Sequence, residues 1–235
     1  MDSVASSNKT KRPPVVDYYD ELAEHYDQDR FGNSYGAYVN GQERRILRHW
    51  LTPVVQGNIL DLACGTGRLL DLATHGLDAS EGMVRIARSK HPCKPIHCGS
   101  AKELAQIGIR FNAIFCFHLF MHLPLGEIQA LLHVCRDHLL PGGLFIFDLP
   151  TAARRRISRY QASGWHGATT LSGAQVRSLA SAGWRHRATR GVLFFPIHRL
   201  PSRVRPAFRP VDDLIGMTPL KALSSYTVYY LEKEP

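Results

Sequence analysis

The sequence of 235 residues has no long apolar run, few cysteines and, in its last third, few acidic residues. No apolar stretch approaches the roughly 18 to 20 residues that a membrane-spanning helix needs. The N-terminal segment is polar and lacks the apolar core of a signal peptide. We therefore expect a disordered tail over residues 1–14, no transmembrane helix and a cytoplasmic protein.

The five cysteines are too few and too widely spaced to indicate a disulfide framework, and none forms a C-x-x-C pair. The nearest approach to a metal-binding pattern is the group His91, Cys93, His97 and Cys98. No second cluster completes a tetrahedral site at finger-like spacing. We expect reduced, structural cysteines and no metal.

The shortage of acidic residues is confined to the C-terminal part. Residues 1–150 contain 15 Lys and Arg against 16 Asp and Glu, whereas residues 151–235 contain 14 against 4. Twelve of those 14 cations are arginine, which makes two-pronged contacts with carboxylates and phosphates. This segregation favours an anionic partner near the C-terminal part, with a solvated, self-repelling surface as the alternative for any single arginine.

The spacing of apolar residues predicts an α/β protein. Residues 15–50 predict two helices separated by the stretch RFGNSYG. From residue 58, five strand-like runs alternate with helical stretches, among them GRLLDLAT and AKELAQIG, which implies a parallel sheet covered on both faces. LLPGG predicts a turn before the fifth strand. Two further strands flank the proline-broken, basic segment 197–223, which we interpret as a flap over the sheet.

The stretch ILDLACGTGR indicates a ligand-binding turn. A buried strand ends at Asp61, and Ala63, Gly65 and Gly67 then make a tight turn in which backbone N–H groups can approach a ligand. Asp78 follows at the end of the next strand, where an acid can accept hydrogen bonds from ribose hydroxyls. An ordinary strand-to-helix connection is the alternative.

The residues after the turn argue against phosphate binding. A P-loop needs a lysine followed by Ser or Thr, but Arg68 and Leu69 follow Gly67. A dinucleotide-binding turn needs a small residue where Leu70 stands. The sequence therefore favours an adenosyl ligand without a pyrophosphate.

Five stretches resemble, in order, the motifs of class I S-adenosylmethionine-dependent methyltransferases: LDLACGTGR, GLDASEGMVRIAR, CGSA, FNAIFCFHLFMHL and LLPGGLFIFD. The helix YYDELAEHYD resembles the N-terminal lid of the small-molecule, quinone-methylating branch. The resemblance runs from about residue 17 to 149 and returns in the C-terminal strands. It implies a Rossmann-like, doubly wound sheet of seven strands with an antiparallel C-terminal strand. It also implies one domain over residues 15–235, with a helical lid at 15–50 and the small basic flap at 197–223.

The resemblance further implies S-adenosylmethionine as cofactor, S-adenosylhomocysteine as product, and a role for individual residues. The residues implied for the methionine end are Asp61, Ala63, Gly65 and Gly67, with Tyr19 and Tyr26 of the lid above them. Asp78 would bind the ribose, and the residues on the adenine or sulfonium side would be Ala79, Met83, Ser100, Ala101 and Phe117. Two residues depart from the family pattern, because Ala63 replaces a glycine and Ser100 replaces an acid. For the two tyrosines, a plain amphipathic helix is the alternative.

Methyl transfer to a hydroxyl or a protonated amine requires removal of a proton. His118 and His122 follow the fourth strand, at the sheet edge where ligands bind, and are the predicted bases, with Asp148 as a further candidate. A structural hydrogen-bonding role is the alternative for either histidine. The acceptor pocket is predicted between the lid and the flap, where four arginines would bind an anionic group: Arg199, Arg203, Arg205 and Arg209.

We predict a methyltransferase acting on a small, anionic or amphiphilic acceptor that carries a carboxylate or phosphate, by O- or N-methylation. One alternative is an RNA methyltransferase, against which stands the lack of an appended RNA-binding module. The other is a membrane-surface or scaffolding protein with a vestigial methyltransferase fold, so peripheral membrane contact stays open. The sequence determines neither the acceptor nor the oligomeric state.

Overall fold

The computed structural model describes residues 14–162 and 164–235. The predicted tail at 1–14 lies outside the described residues, except for Pro14, which begins the first helix. Of the helices in these two ranges, none combines the length and the apolar character needed to cross a membrane.

Seven strands form one sheet in the order β3-β2-β1-β4-β5-β7-β6. β1 to β5 are parallel, and β7 runs antiparallel to both of its neighbours. The bounds are β1 Ile59–Leu62, β2 His75–Asp78, β3 Ile96–Cys98, β4 Phe111–Cys116, β5 Leu139–Pro150, β6 Trp184–Val192 and β7 Tyr226–Lys233. The predicted seven-stranded sheet with an antiparallel C-terminal strand is confirmed.

The helices of the described chain cover both faces of this sheet. The α-helices are α1 Pro14–Leu22, α2 Tyr26–Phe31, α3 Ser34–Leu51, α4 Glu81–Lys90, α5 Leu125–His138, α6 Ala152–Ile157, α7 Gly173–Leu179 and α8 Arg205–Ile215. The short 3-10 helices are Thr52–Val54, Leu70–Leu72, Ala101–Ile107, Phe120–His122, Ile197–Arg199 and Pro219–Leu223.

Alternate residues of the strands build two separate cores. Ile59 and Phe115 pack with α3 and α4 on one face, whereas Leu60 and Phe145 pack with α5 and α7 on the other. All of these side chains are at most 2% exposed. Continuous burial of the short strand β1 on both sides is what a central strand of a parallel sheet requires.

Two predicted helices are 3-10 turns. GRLLDLAT contains only the turn Leu70–Leu72, because just twelve residues, 63–74, connect β1 to β2. Such a connection is at the lower limit for a crossover between parallel strands and leaves no room for several helical turns. AKELAQIG likewise forms the 3-10 helix Ala101–Ile107, which ends at Gly108 in the left-handed conformation.

Three other segments differ from expectation. The first predicted helix is divided into α1 and α2 by a turn at residues 23–25. The predicted turn LLPGG is a bulge inside β5, where the pairing with β4 moves from Phe111–Leu139 to Ala113–Leu144. The flap at 197–223 contains the regular helix α8, and it packs along α3 and β6 rather than over the ligand-binding edge of the sheet.

Candidate active site

The glycine turn follows β1 at the carboxyl edge of the sheet. Ala63, Gly65 and Gly67 have φ values of +58°, +54° and +81°, so all three lie in the left-handed region. A Cβ on Gly65 would meet only the sulfur of Met83, at 4.0 Å, whereas a Cβ on Gly67 would lie 2.9 Å from the ring of His91. Gly65 therefore leaves open space beside the turn, and Gly67 is required by close packing as well as by its φ.

Asp78 ends β2 directly beside this turn. Its Oδ2 accepts a hydrogen bond from the backbone N–H of Gly65 at 2.7 Å, and its Oδ1 accepts one from the N–H of Ser80 at 2.9 Å. Burial raises the pKa of Asp78 despite these two donors. Asp61, one residue before the end of β1, is 3% exposed, and burial raises its pKa well above the usual range. Two buried carboxyl groups, at the ends of β1 and β2, thus belong to this edge of the sheet.

The residues predicted to surround an adenine follow β2 and β3. Met83 lies in the first turn of α4 and is fully buried, and its N–H donates to Oγ of Ser80, the N-cap residue. The backbone N–H of Gly99 donates to the carbonyl of Asp78, which brings the segment after β3 beside the end of β2. The remaining predicted residues of this group are the partly exposed Ala79, Ser100 and Ala101 and the buried Phe117 at the end of β4.

Ser100 begins the 3-10 helix Ala101–Ile107 with a capping box. Its hydroxyl and its backbone N–H both contact Oε2 of Glu103, with an Oγ–Oε2 distance of 2.6 Å. Hydrogen bonding to Ser100 lowers the pKa of Glu103. A carboxylate therefore stands next to the position at which the family pattern has its acid.

The lid helices are joined to this site by two carboxylates. Asp20 in α1 accepts hydrogen bonds from the hydroxyl of Ser80 and, at 2.9 Å, from the N–H of Gly82 in α4. Asp27 in α2 accepts a hydrogen bond from Oγ1 of Thr66 in the glycine turn, at 2.5 Å, and pairs with Lys90. The lid thus lies over both the glycine turn and the start of α4.

An aromatic cluster lines the space between the lid and the loop after α6. Tyr19 stacks edge-on against Tyr26 at 5.9 Å, and its hydroxyl lies 3.1 Å from Nε2 of His122. Trp165 and His166 contact His122, with ring centroids 5.5 and 4.7 Å away. The sequence predicted the tyrosines and His122, but not Trp165 or His166. Their only signal is a tryptophan–histidine pair within a polar, arginine-rich segment.

His122 is neutral in this environment. The N–H of Gly167 donates to its Nδ1 at 3.0 Å, so the ring proton lies on Nε2, which donates to the hydroxyl of Tyr19. Burial and the neighbouring His166 lower the pKa of His122 to about 4. Both ring nitrogens are therefore engaged, and the histidine connects the lid to the loop after α6.

His118 lies between two buried carboxylates. Its Nε2 is 2.8 Å from Oε1 of Glu43 in α3, and its Nδ1 is 3.4 Å from Oδ2 of Asp148 in β5. Its backbone, at φ +60°, donates its N–H to Oδ1 of Asp148 at 2.6 Å. Arg68 of the glycine turn pairs with the other oxygen of Glu43 at 2.8 Å. These four residues are called the His118 cluster below.

The charges of the His118 cluster shift one another's protonation. Burial disfavours ionisation of Glu43, but Arg68 and His118 outweigh it and lower the pKa to about 2. Burial likewise disfavours charge on His118, yet the two carboxylates raise its pKa. Burial raises the pKa of Asp148. Glu43 was not predicted, because nothing in the periodicity of α3 distinguishes it from a surface glutamate.

The arginines of the flap do not converge on this site. Arg205 donates to Oγ of Ser34 at 2.7 Å, and the guanidinium of Arg209 lies 5.3 Å from the ring centroid of Tyr38. Both are thereby held against α3. Arg199 and Arg203 are exposed. The structure brings together the predicted cofactor residues, the tyrosines and the two histidines, but it holds Arg205 and Arg209 against α3 and leaves Arg199 and Arg203 exposed.

Comparison with known proteins agrees with the fold and with the glycine turn. Residues 59–143 match a family model described as a methyltransferase domain. The chain is 32% identical over 143 residues to dTDP-3-amino-3,6-dideoxy-alpha-D-glucopyranose N,N-dimethyltransferase of Streptomyces fradiae, a match that covers 57% of this chain and 55% of the relative. It is 34% identical over 93 residues to demethylmenaquinone methyltransferase of Bacteroides fragilis, covering 36% and 37%. The chain thus spans little more than half the length of the longer-matching relative.

Solved structures show the same fold over nearly the whole chain. The CcbJ methyltransferase of Streptomyces caelestis superposes with a TM-score of 0.66 at 18% identity and covers 93% of this chain and 98% of its own. Magnesium protoporphyrin IX methyltransferase of Synechocystis PCC 6803, solved with bound SAH, has a TM-score of 0.63 at 14% identity, with coverages of 94% and 98%. The fold that the resemblance to class I methyltransferases implies is confirmed.

Proposed function

Because residues 59–143 match the methyltransferase domain and the whole sheet has the fold of these enzymes, we propose that the chain is an S-adenosylmethionine-dependent methyltransferase of a small-molecule acceptor. The observation that carries the proposal is the pairing of Asp78 with the open, left-handed turn at Gly65. A carboxylate beside a tight turn that leaves open space at Gly65 suits a ligand with ribose hydroxyls and a charged amino-acid end.

The site fits this cofactor, which supplies an electrophilic methyl group on a sulfonium when it is bound. The residues proposed for its methionine end are Asp61, Ala63, Gly65, Gly67, Tyr19 and Tyr26. Asp78 would exchange its bond to the Gly65 N–H for the ribose hydroxyls. The residues proposed around the adenine and the sulfonium are Ala79, Met83, Ser100, Ala101 and Phe117.

Glu103 would replace the acid that the family pattern has at position 100. Its carboxylate lies 2.6 Å from the Ser100 hydroxyl and is partly exposed, so it can accept a hydrogen bond from an adenine amino group. Glu103→Gln should then lower the affinity for S-adenosylhomocysteine. It should lower the affinity for the inosyl form of the ligand less, because that form lacks the adenine amino group.

The acceptor would enter through the aromatic cluster, where Trp165 and Tyr18 pack edge-on at 5.5 Å. A cavity of about 560 Å³ lies next to it, lined by Arg155, Arg156 and Arg159 of the α6 region. Arg155 also donates to the carbonyl of Gly167 at 2.6 Å, while the N–H of Gly167 binds His122. One glycine therefore separates the arginine-lined cavity from the aromatic cluster.

This arrangement supports an acceptor with an anionic part in the arginine-lined cavity and a methyl-accepting part near His118. The relatives are named for a dTDP-amino sugar and for demethylmenaquinone, and the former carries phosphates. Arg205 and Arg209 of the flap are held against α3. The arginines of the α6 region line the cavity itself, and we therefore propose them, rather than the flap arginines, for the anionic part. An N- or O-acceptor suits a site with a histidine at its centre.

His118 is the proposed proton acceptor, and it works only in its neutral form. The carboxylates on either side favour the imidazolium and raise the pKa of His118, so the ring must lose a proton before it can act. Release of that proton to solvent would precede removal of a proton from the acceptor. His122 has both nitrogens engaged by Gly167 and Tyr19, and we assign it to positioning the lid tyrosine rather than to proton transfer.

Calorimetric titration with S-adenosylhomocysteine tests the cofactor. We expect the wild type to bind and Asp78→Ala to lose about tenfold or more in affinity, because a hydrogen bond to a charged group contributes roughly 1.5 to 3 kcal/mol. Asp137→Ala, a change at an exposed surface aspartate, is the matched control. Absence of binding by the folded wild type would overturn the proposal.

A further inference from the structure

Helix α8 has its polar side turned inward. Asp212 is fully buried, and its carboxylate accepts hydrogen bonds from the hydroxyl of Tyr38 at 3.0 Å and from the N–H groups of Phe194 and Phe195 at 2.9 and 3.3 Å. Asp213 accepts a hydrogen bond from Gln42 at 2.9 Å. The helix is therefore attached to the rest of the protein through charged and polar side chains.

Arginines complete this inner side. Arg209 packs so closely on α3 that a Cβ at Gly41 would lie 2.9 Å from its guanidinium. Arg205 reaches Ser34 at the start of α3 and the carbonyl of Leu200. The two acidic residues of the segment 197–223 and two of its arginines are all directed towards the protein.

The outer side of the same segment is apolar. Five large apolar side chains at helix-like spacing are between 42% and 60% exposed: Val204, Val211, Leu214, Met217 and Leu220. Globular proteins place such a stripe against their core, and here it faces solvent over α8 and the following 3-10 helix. These five residues form what we call the α8 stripe. Several exposed apolar side chains on one segment are typical of an interaction site.

The charges at the edge of the α8 stripe select the partner. His198, Arg199 and Arg203 are exposed at its N-terminal end, and both acidic residues of the segment face inward. A stripe of apolar side chains with exposed arginines and no exposed acid fits the boundary between anionic headgroups and acyl chains. A symmetric contact between two copies would instead bring the same arginines close to one another.

We propose that the α8 stripe docks on an anionic lipid surface, with its apolar side chains in the interface and Arg199 and Arg203 on the headgroups. Prolines inside a segment ordinarily disfavour a continuous amphipathic helix. The structure removes that objection, because Pro206 lies in the first turn, where its missing N–H costs nothing, and the helix continues through Pro210 to Ile215. This docking does not depend on the proposed methyl transfer.

The test is sedimentation of the full chain with vesicles of phosphatidylglycerol and phosphatidylcholine, compared with vesicles of phosphatidylcholine alone. We expect binding to the anionic vesicles that falls steeply with salt. The double substitution Val211→Ser with Leu214→Ser should reduce this binding by about tenfold or more, because it removes two apolar side chains that the lipid surface would bury. Arg199→Gln with Arg203→Gln should reduce it and flatten its salt dependence.

The matched control is Val55→Ser with Leu125→Ser, which changes side chains that are 61% and 48% exposed elsewhere. This pair should bind vesicles as the wild type does. Equal binding by Val211→Ser with Leu214→Ser and by this control would overturn the proposal, as would absence of wild-type binding. Sedimentation velocity without lipid tests whether the α8 stripe instead binds a second copy of the chain. A wild-type dimer that Leu214→Ser converts to monomer would assign the stripe to that contact and overturn the proposal.

Discussion

The Nε2 atom of His118 lies 2.8 Å from the carboxylate of Glu43, a residue 75 positions earlier in the chain that is 2% exposed. Because Asp148 approaches the other ring nitrogen, the imidazole has an acceptor on each side. The neutral ring can donate to only one of them, so the pair of carboxylates favours the charged form. For the proposed role of His118 as proton acceptor, this relationship sets the pH range in which the ring is available.

The first prediction concerns the pH dependence of methyl transfer. If neutral His118 is the proton acceptor, kcat should rise as the pH increases through an apparent pKa above the ordinary 6.5. Glu43→Gln removes one of the charges that raise this pKa, so the midpoint should move to lower pH by about one unit. Glu24→Gln, a change in the exposed lid pair with Arg85, should leave the profile in place. A structural role for His118 would leave it in place in both variants.

The second prediction concerns stability. The pKa of Glu43 is about 2 in the folded protein against an ordinary 4.5, so its contribution is present above pH 4.5 and is lost as the pH falls towards 2. His118 has a raised pKa, so its contribution is present below pH 6.5 and is lost as the pH rises through the folded value. Glu43→Gln should therefore lower the free energy of unfolding most between about pH 4.5 and 6.5. We expect a loss of about 3 kcal/mol there, measured by urea unfolding. A cost independent of pH would contradict this assignment.

The sequence predicts the cofactor side of the site because that side is local. Gly65, Gly67 and Asp78, which we propose for the cofactor, belong to one turn and to the end of the adjacent strand, and both features are visible in the order of residues 59–83. The parallel arrangement of β1 to β5 follows from the same alternation of strands and helices.

The acceptor side is not local, and the sequence predicts it only in part. Glu43, His118 and Asp148 come from α3, the end of β4 and β5, and their meeting depends on the packing of three elements. The flap was misplaced for a related reason. Two of its arginines and both of its aspartates contact α3, and composition gives no information about which side of a helix a charge occupies.

Ala63 leads to the third prediction. Its φ of +58° is in the left-handed region, which disfavours an alanine by about 1 to 2 kcal/mol. Ala63→Gly removes this strain but makes the unfolded chain more flexible, so we expect a net gain of about 0.5 to 1 kcal/mol in thermal or urea unfolding. S-adenosylhomocysteine affinity should stay unchanged. Ala113→Gly, in the buried strand β4, should destabilise the protein and is the contrast. Destabilisation by Ala63→Gly would show that the methyl group is required in the turn.

The fourth prediction concerns the lid. Asp27 connects α2 to Thr66 in the glycine turn at 2.5 Å and to Lys90 in α4. Asp27→Asn weakens both contacts, so S-adenosylhomocysteine should dissociate about threefold to tenfold faster in stopped-flow chase experiments. Asp29→Asn is the control. It changes another carboxylate of α2, one that lines a small cavity beside Arg30, and this variant should release S-adenosylhomocysteine at the wild-type rate. The lid contact has no role in retaining the ligand if both variants release it equally fast.

The fifth prediction concerns the buried attachment of α8. Asp212→Ala leaves the hydroxyl of Tyr38 and the N–H groups of Phe194 and Phe195 without their acceptor, so urea unfolding should show a loss of about 3 kcal/mol. Tyr38→Phe removes one donor but leaves Asp212 with its two backbone partners, and it should cost about 1 kcal/mol. Asp213→Ala affects a neighbouring carboxylate that is closer to solvent and should cost less than Asp212→Ala. Equal losses for the two aspartates would mean that α8 is held by its overall charge rather than by the hydrogen bonds of Asp212.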